Sequence, residues 1–203
     1  LLRTHLPQPL TRLVSGGRGE MVGAEALVRW QHPERGLVAP GEFIEIAEEN
    51  GAILPIGRWV LRQACERAAA WQAQGLTPPG LFICVNVSPR EIPQPGSVGA
   101  VEESLTWAGL QPTQLILELT ETALIKATTA TIATLEALRT LGVRVVIDDF
   151  GTGYFSLSHL RQFPVDALKI ASEFIQVSDD DTRSAALAGA IVALGDSLTI
   201  ATV

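Results

Sequence analysis

Residues 115–150 read LILELTETALIKATTATIATLEALRTLGVRVVIDDF, and this stretch decides the fold. Leu115–Thr120 and Arg144–Phe150 are largely apolar, the pattern of strands covered on both faces. Between them, Thr128–Leu141 carries helix-period spacing, and Gly142 follows as a left-handed stop. Strand, helix, strand in this order forces parallel pairing through a right-handed crossover.

The same alternation extends outward in both directions. Strands are predicted over His5–Val14, Glu20–Trp30, Leu81–Val87, Ala167–Ile170 and Thr199–Val203, and helices over Pro40–Glu49, Leu54–Gln74, Val98–Ala108 and Thr182–Leu194. Only Ser15-Gly16-Gly17-Arg18-Gly19 joins the first two strands, too short for a crossover helix, so they are expected to form an antiparallel hairpin. No Gly-x-Gly-x-x-Gly follows the first parallel strand, which argues against a dinucleotide-binding sheet. The expected architecture is α/β: a TIM-like (β/α) barrel with an antiparallel first strand, one domain over residues 1–203. Seven strands are counted where a barrel has eight, so the barrel reads as truncated before its last strand.

Composition narrows the function. The 203 residues are 47% hydrophobic, carry a net charge of −7 and contain no run of like charge, so duplex nucleic acid, which needs a basic face, is excluded as a partner. Cys65 and Cys84 have no metal-type spacing and read as buried free thiols of a cytoplasmic protein. No signal peptide is read at the start, and the parent protein is left open to membrane anchoring. The apolar run from Ala185 to Val203 is interrupted by Asp196 and Ser197, and reads as helix, turn and buried strand rather than a membrane span.

Strand side chains alternate, so residues of equal parity share a face. That places Glu25 with Leu27 and Arg29, Asn86 with Phe82 and Cys84, Glu118 with Thr120, Asp148 with Val146, and Lys169 with Ala167. All but Glu25, read as mid-strand, lie near the C-terminal strand ends, where β/α barrels gather their chemistry. Each alone has an ordinary reading: an edge Glu, a strand stop at Asn86-Val87-Ser88-Pro89, a turn at Asp148-Asp149-Phe150-Gly151. Five strands placing polar groups at one height together point elsewhere. Dehydrated carboxylates repel unless a cation pairs them, and hard oxygen ligands select Mg²⁺ or Mn²⁺ over zinc. The Asp148-Asp149 pair could serve two ions, which clamp the two reacting oxygens of a phosphodiester.

These residues resemble the bacterial EAL domains, which hydrolyse cyclic di-GMP to linear pGpG. The match runs through Glu25-Ala26-Leu27-Val28-Arg29-Trp30, His32-Pro33, Asn86-Val87-Ser88-Pro89, Glu118-Leu119-Thr120-Glu121-Thr122, Asp148-Asp149-Phe150-Gly151-Thr152-Gly153 and Asp166-Ala167-Leu168-Lys169-Ile170, with Gln8-Pro9 in the opening strand. The resemblance implies that Glu25, Asn86, Glu118 and Asp148 are metal ligands, with Asp149 reaching a second ion. It implies that Lys169 orients the attacking water and that Glu121 holds the Asp-Phe-Gly loop. Gln8, Leu27 and Arg29 become substrate contacts. The Gly151–Leu157 loop and the helix after Lys169 become a homodimer contact, and a sensory or GGDEF-type domain is expected in the parent protein. The chain departs from the family pattern at Pro7, Phe155 and Ala171, and the family's next Glu-containing motif is expected beyond Val203.

The leading expectation is therefore a metal-dependent cyclic di-GMP phosphodiesterase working by in-line water attack. The alternative is a degenerate EAL domain that binds cyclic di-GMP as a receptor without cleaving it. A third reading, a Schiff-base lysine at Lys169, is disfavoured because neighbouring carboxylates raise an amine pKa.

Overall fold

The structure is a computed structural model and describes residues 10–14, 21–78, 80–125, 127–153, 160–175 and 182–203. The Ser15–Gly19 connection and Gln8 lie outside the described residues, as do Phe155 and most of the Gly151–Leu157 loop.

A curled, mainly parallel sheet of seven strands forms the body, a half-barrel among the described residues. Its strands are β1 (Leu10–Val14), β2 (Met21–Ala26), β5 (Phe82–Asn86), β6 (Leu115–Thr120), β7 (Arg144–Phe150), β8 (Ala167–Ile170) and β9 (Ala201–Thr202), side by side in that order. β1 runs antiparallel to β2, with Leu10 opposite Ala26, and every later pair is parallel.

Helices cover the convex face: α2 (Ile53–Ala73), α3 (Ser97–Ala108), α5 (Thr129–Leu141) and α6 (Thr182–Leu198). Ile83, Val85, Leu115, Leu117, Leu119, Val145, Ile147 and Leu168 point into this layer and are buried. Each such side chain contributes about 1.5–3 kcal/mol on leaving water. Helix ends follow local chemistry. Thr128 caps α5 by accepting from Thr131 N at 3.3 Å, and Gly142 ends it at φ 99°, open to glycine without strain.

The concave face is filled in layers. Phe82 lies lowest, with the Arg144 guanidinium 5.1 Å from its ring centroid. Gly23 makes room for that ring, since a Cβ there would stand 2.3 Å from Phe82 Cε2. Cys84, Ile116, Val146 and Ala167 form the next layer. By strand parity, the polar residues sit above it.

Three predicted elements need correction. Glu20–Trp30 is not one strand: β2 ends at Ala26, and Trp30–His32 (β3) pairs instead with Gly36–Val38 (β4) in a separate hairpin. His32 Nδ1 accepts from Glu34 N and Arg35 N, both at 3.1 Å, closing that turn, and Trp30 packs edge-on against His32 and Phe43. Leu27 and Arg29 therefore do not continue the β2 face. The apolar run near the end is also different. α6 passes through Asp196 and Ser197, which are exposed on it, and the strand is the short β9, whose Ala201 is exposed rather than buried. Pro40–Glu49 divides into a 3₁₀ turn at Pro40–Glu42 and α1 (Ile44–Glu49), while Glu121–Ile125 forms an unpredicted short helix, α4. No helix among the described residues is long and apolar enough to cross a membrane.

Candidate functional site

Ending β2 at Ala26 moves Glu25 to the C-terminal end of its strand, level with the other polar groups. Asn86 lies directly across from Glu118 in the β5–β6 register. Asp148, opposite Thr120, is one inward position further along β7 than Val146, the partner of Glu118. Carboxylate oxygens of Glu25, Glu118 and Asp148 lie within 4.8 Å of one another. Asn86 Nδ2 donates to Glu25 Oε1 at 3.0 Å.

Lys169 rises from β8 into this group. Its Nζ stands 3.2 Å from Asp148 Oδ1, 3.3 Å from Glu118 Oε1 and 3.4 Å from Glu25 Oε2. Burial alone would lower its pKa, but Glu118, Asp148 and Glu25 outweigh burial and hold the ammonium above its ordinary range. Burial pushes the Glu118 carboxyl up to about 7; Lys169 opposes the rise, and Glu25 and Asp148 add to it. Glu118 is only 3% exposed. Beneath it, the Cys84 thiol is pushed upward by its own burial and by the Glu118 carboxylate. Parity placed Cys84 on this face, yet as a thiol it read only as core.

Three carboxylates and one ammonium leave an excess of negative charge around a narrow space. An oxygen donor set of this charge fits a divalent cation. Divalent-metal dependence is a property of EAL domains, and the triad matches it.

Asp149 departs from strand geometry. It adopts φ +53°, a left-handed conformation uncommon for a residue with a side chain, and the β7–β8 register shifts between Ile147 and Phe150. The bend sets Asp149 apart from the triad, exposed, with Asp148 Oδ1 accepting from its N–H at 2.9 Å. Burial, and then Asp148, raise its carboxyl. Just beyond, Glu121 accepts from Gly151 N at 2.8 Å and Gly153 N at 3.2 Å while 2% exposed. It thereby ties the first turn of α4 to the Asp-Phe-Gly loop.

Leu27 and Arg29 are half-buried in the segment leaving β2, and Arg29 Nη1 donates to Val28 O at 2.8 Å. The structure thus brings together Glu25, Asn86, Glu118, Asp148 and Lys169, sets Asp149 on the adjoining loop with Glu121 of α4 holding that loop, and leaves Leu27 and Arg29 in the segment after β2. Ala171 is buried, its N–H directed at Phe150 O.

Parallel strands carrying an acidic, lysine-bridged cluster at their C-terminal ends define a β/α-type protein with its candidate site at the strand ends. The chain belongs to the EAL domain family: the model of that family, described as the EAL domain, matches residues 8–203. A signalling protein of Caulobacter vibrioides without an assigned function is 46% identical over 193 residues, covering 95% of this chain and 23% of its own length. MucR of Pseudomonas aeruginosa, a bifunctional diguanylate cyclase/cyclic di-GMP phosphodiesterase, is 42% identical over 182 residues, covering 90% of this chain and 26% of MucR. The solved PaMucR phosphodiesterase in complex with c-di-GMP superposes with a TM-score of 0.86 at 40% identity, covering 95% of this chain and 77% of that one. The chain spans about a quarter of the length of these two curated relatives.

Proposed function

We propose that this domain is a metal-dependent phosphodiesterase that hydrolyses cyclic di-GMP to linear pGpG. The observation that carries the reading is the convergence of Glu25, Glu118 and Asp148 around Lys169 at the C-terminal strand ends. The likeness to MucR and to the cyclic di-GMP complex of PaMucR supports the choice of substrate.

In this reading Glu25, Asn86, Glu118 and Asp148 would hold one Mg²⁺ or Mn²⁺, and Asp149 would serve a second. When bound, such ions make water a stronger nucleophile and neutralise charge on phosphoryl oxygens. Lys169, kept protonated by its neighbours, donates hydrogen bonds; it orients a water and steadies negative charge, and it is unsuited to act as a base or an imine-forming amine. Glu118 and Asp148 fix Lys169 in turn. Glu121 keeps the Gly151 and Gly153 N–H groups in place, and so sets the direction of Asp149. Arg29 suits a phosphate oxygen through its planar guanidinium, with Leu27 and Gln8 as further contacts.

A homodimer through the Gly151–Leu157 loop and the following helix belongs to the same proposal. A sensory or GGDEF-type domain in the parent protein is proposed from the quarter-length match, and a cytoplasmic setting from the buried free thiols of Cys65 and Cys84.

The test is incubation of the protein with cyclic di-GMP and Mn²⁺, with and without EDTA, and separation of the nucleotides. Linear pGpG formed only with free metal is expected. Tight binding without any linear product would replace the enzyme by a receptor.

A further inference from the structure

The chain leaves β5 at Asn86, and within two residues it is gripped from two sides. Ser88 is buried; its Oγ donates to Glu48 Oε1 at 2.6 Å, and its N–H donates to Glu91 Oε2 at 2.9 Å. Arg90 N donates back to Ser88 Oγ at 3.2 Å and Glu91 N donates to Ser88 O at 2.9 Å, so Ser88, Pro89, Arg90 and Glu91 form a closed turn. Glu48 comes from α1 and Glu91 from the turn itself. Neither belongs to the carboxylate triad.

Glu91 has a prepared seat. A Cβ built on Gly57, in the interior of the 21-residue α2, would lie 1.6 Å from Glu91 Oε1. Glycine inside a helix costs about 1 kcal/mol relative to alanine, and the Glu91 carboxyl resting on α2 accounts for it. The anchoring continues into the sheet, where Val87 N donates to Glu118 O at 2.9 Å. Asn86 thus stands between a fixed strand on one side and a serine held by two acids on the other.

We propose that Glu91, seated on Gly57, is a positioning residue that fixes the Asn86 amide for the metal site by holding Ser88. The proposal rests on the reading of Asn86 as a metal ligand. Residues that orient ligands from outside the coordination sphere typically change metal affinity by about 10–100-fold when removed.

The experiment is Mn²⁺ titration by calorimetry without nucleotide, on wild type, Glu91→Ala, Glu91→Gln, Asn86→Ala and the Glu91→Ala/Asn86→Ala double variant. Glu91→Ala is expected to weaken Mn²⁺ binding about 10-fold. Glu91→Gln, whose amide oxygen still accepts from Ser88 N, should stay within about 2-fold of wild type, and the double variant should bind no more weakly than Asn86→Ala alone. Should Glu91→Ala fail to fold, Gly57→Ala, which pushes the carboxyl off its seat, should give the same loss. Wild-type affinity in folded Glu91→Ala, or losses that simply add in the double variant, would overturn the role of Glu91. A wild-type protein that takes up no Mn²⁺ would overturn the metal-site reading itself, and this role with it.

Discussion

Glu118 and Lys169 meet at 3.3 Å across the concave face of the sheet, the carboxylate 3% exposed and the ammonium facing two further acids. Removing the cation strands the acids. Breaking a buried ion pair on one side typically costs about 3–5 kcal/mol, and partial solvent access to Lys169 reduces that here. Lys169→Met is expected to lower metal-free stability by about 2 kcal/mol in urea unfolding, and to be stabilised by Mn²⁺ more than wild type is. Its turnover should fall more than its affinity for cyclic di-GMP.

Glu121→Ala deprives the Gly151 and Gly153 N–H groups of their acceptor. Gly151 is half-buried and Gly153 exposed, so water replaces part of what is lost, and unfolding should show a loss of about 1 kcal/mol, the low end for an unsatisfied donor. Amide exchange should quicken first at Gly151 and Gly153, before the strands that flank them.

Gly23→Ala places a methyl group into the Phe82 ring. Overpacking of this kind costs about 1–3 kcal/mol. Gly23→Ala/Phe82→Leu should recover much of that stability, as a drop and partial return in melting temperature.

The Glu91 carboxyl is raised to about 7, by burial first, with the Ser88 N–H opposing and Glu48 adding to the rise. An acid with a higher pKa folded than unfolded destabilises the fold as pH climbs from the unfolded value near 4.5 towards 7, because only the unfolded chain releases its proton freely. Glu91→Gln removes this burden. Its stability relative to wild type should therefore be greater at pH 8 than at pH 5, by up to about 3 kcal/mol. Chemical unfolding at the two pH values reads the difference directly.

Much of this arrangement is legible in the sequence because strand parity is a local property. Asn86, Glu118, Asp148 and Lys169 fall on the concave face for the same reason that Cys84, Val146 and Ala167 do. The end of β2 is different. Leu27–Trp30 continues a strand-like pattern, and only the competing hairpin, with Pro33 in its turn and Gly36 opening its second strand, draws Trp30 away. Recognising that competition would also have put Glu25 at a strand end. Asp196 misleads in the opposite sense: a helix that exposes one face carries a charge there without breaking. The grip on Ser88 depends on Glu48, 40 residues away, and no local pattern announces such a contact. Ser88-x-x-Glu91 is itself a capping-box signature, and it was the available signal.

The central claim is that the Glu25, Glu118 and Asp148 cluster holds a divalent ion for cleavage of cyclic di-GMP. Its most direct test is the initial rate of pGpG formation across a Mn²⁺ titration, for wild type and Glu25→Ala side by side. The account predicts a saturable Mn²⁺ dependence for wild type and no metal-dependent rate for a folded Glu25→Ala protein. Equal rates in the two proteins, or a wild-type rate indifferent to Mn²⁺ and EDTA, would contradict it.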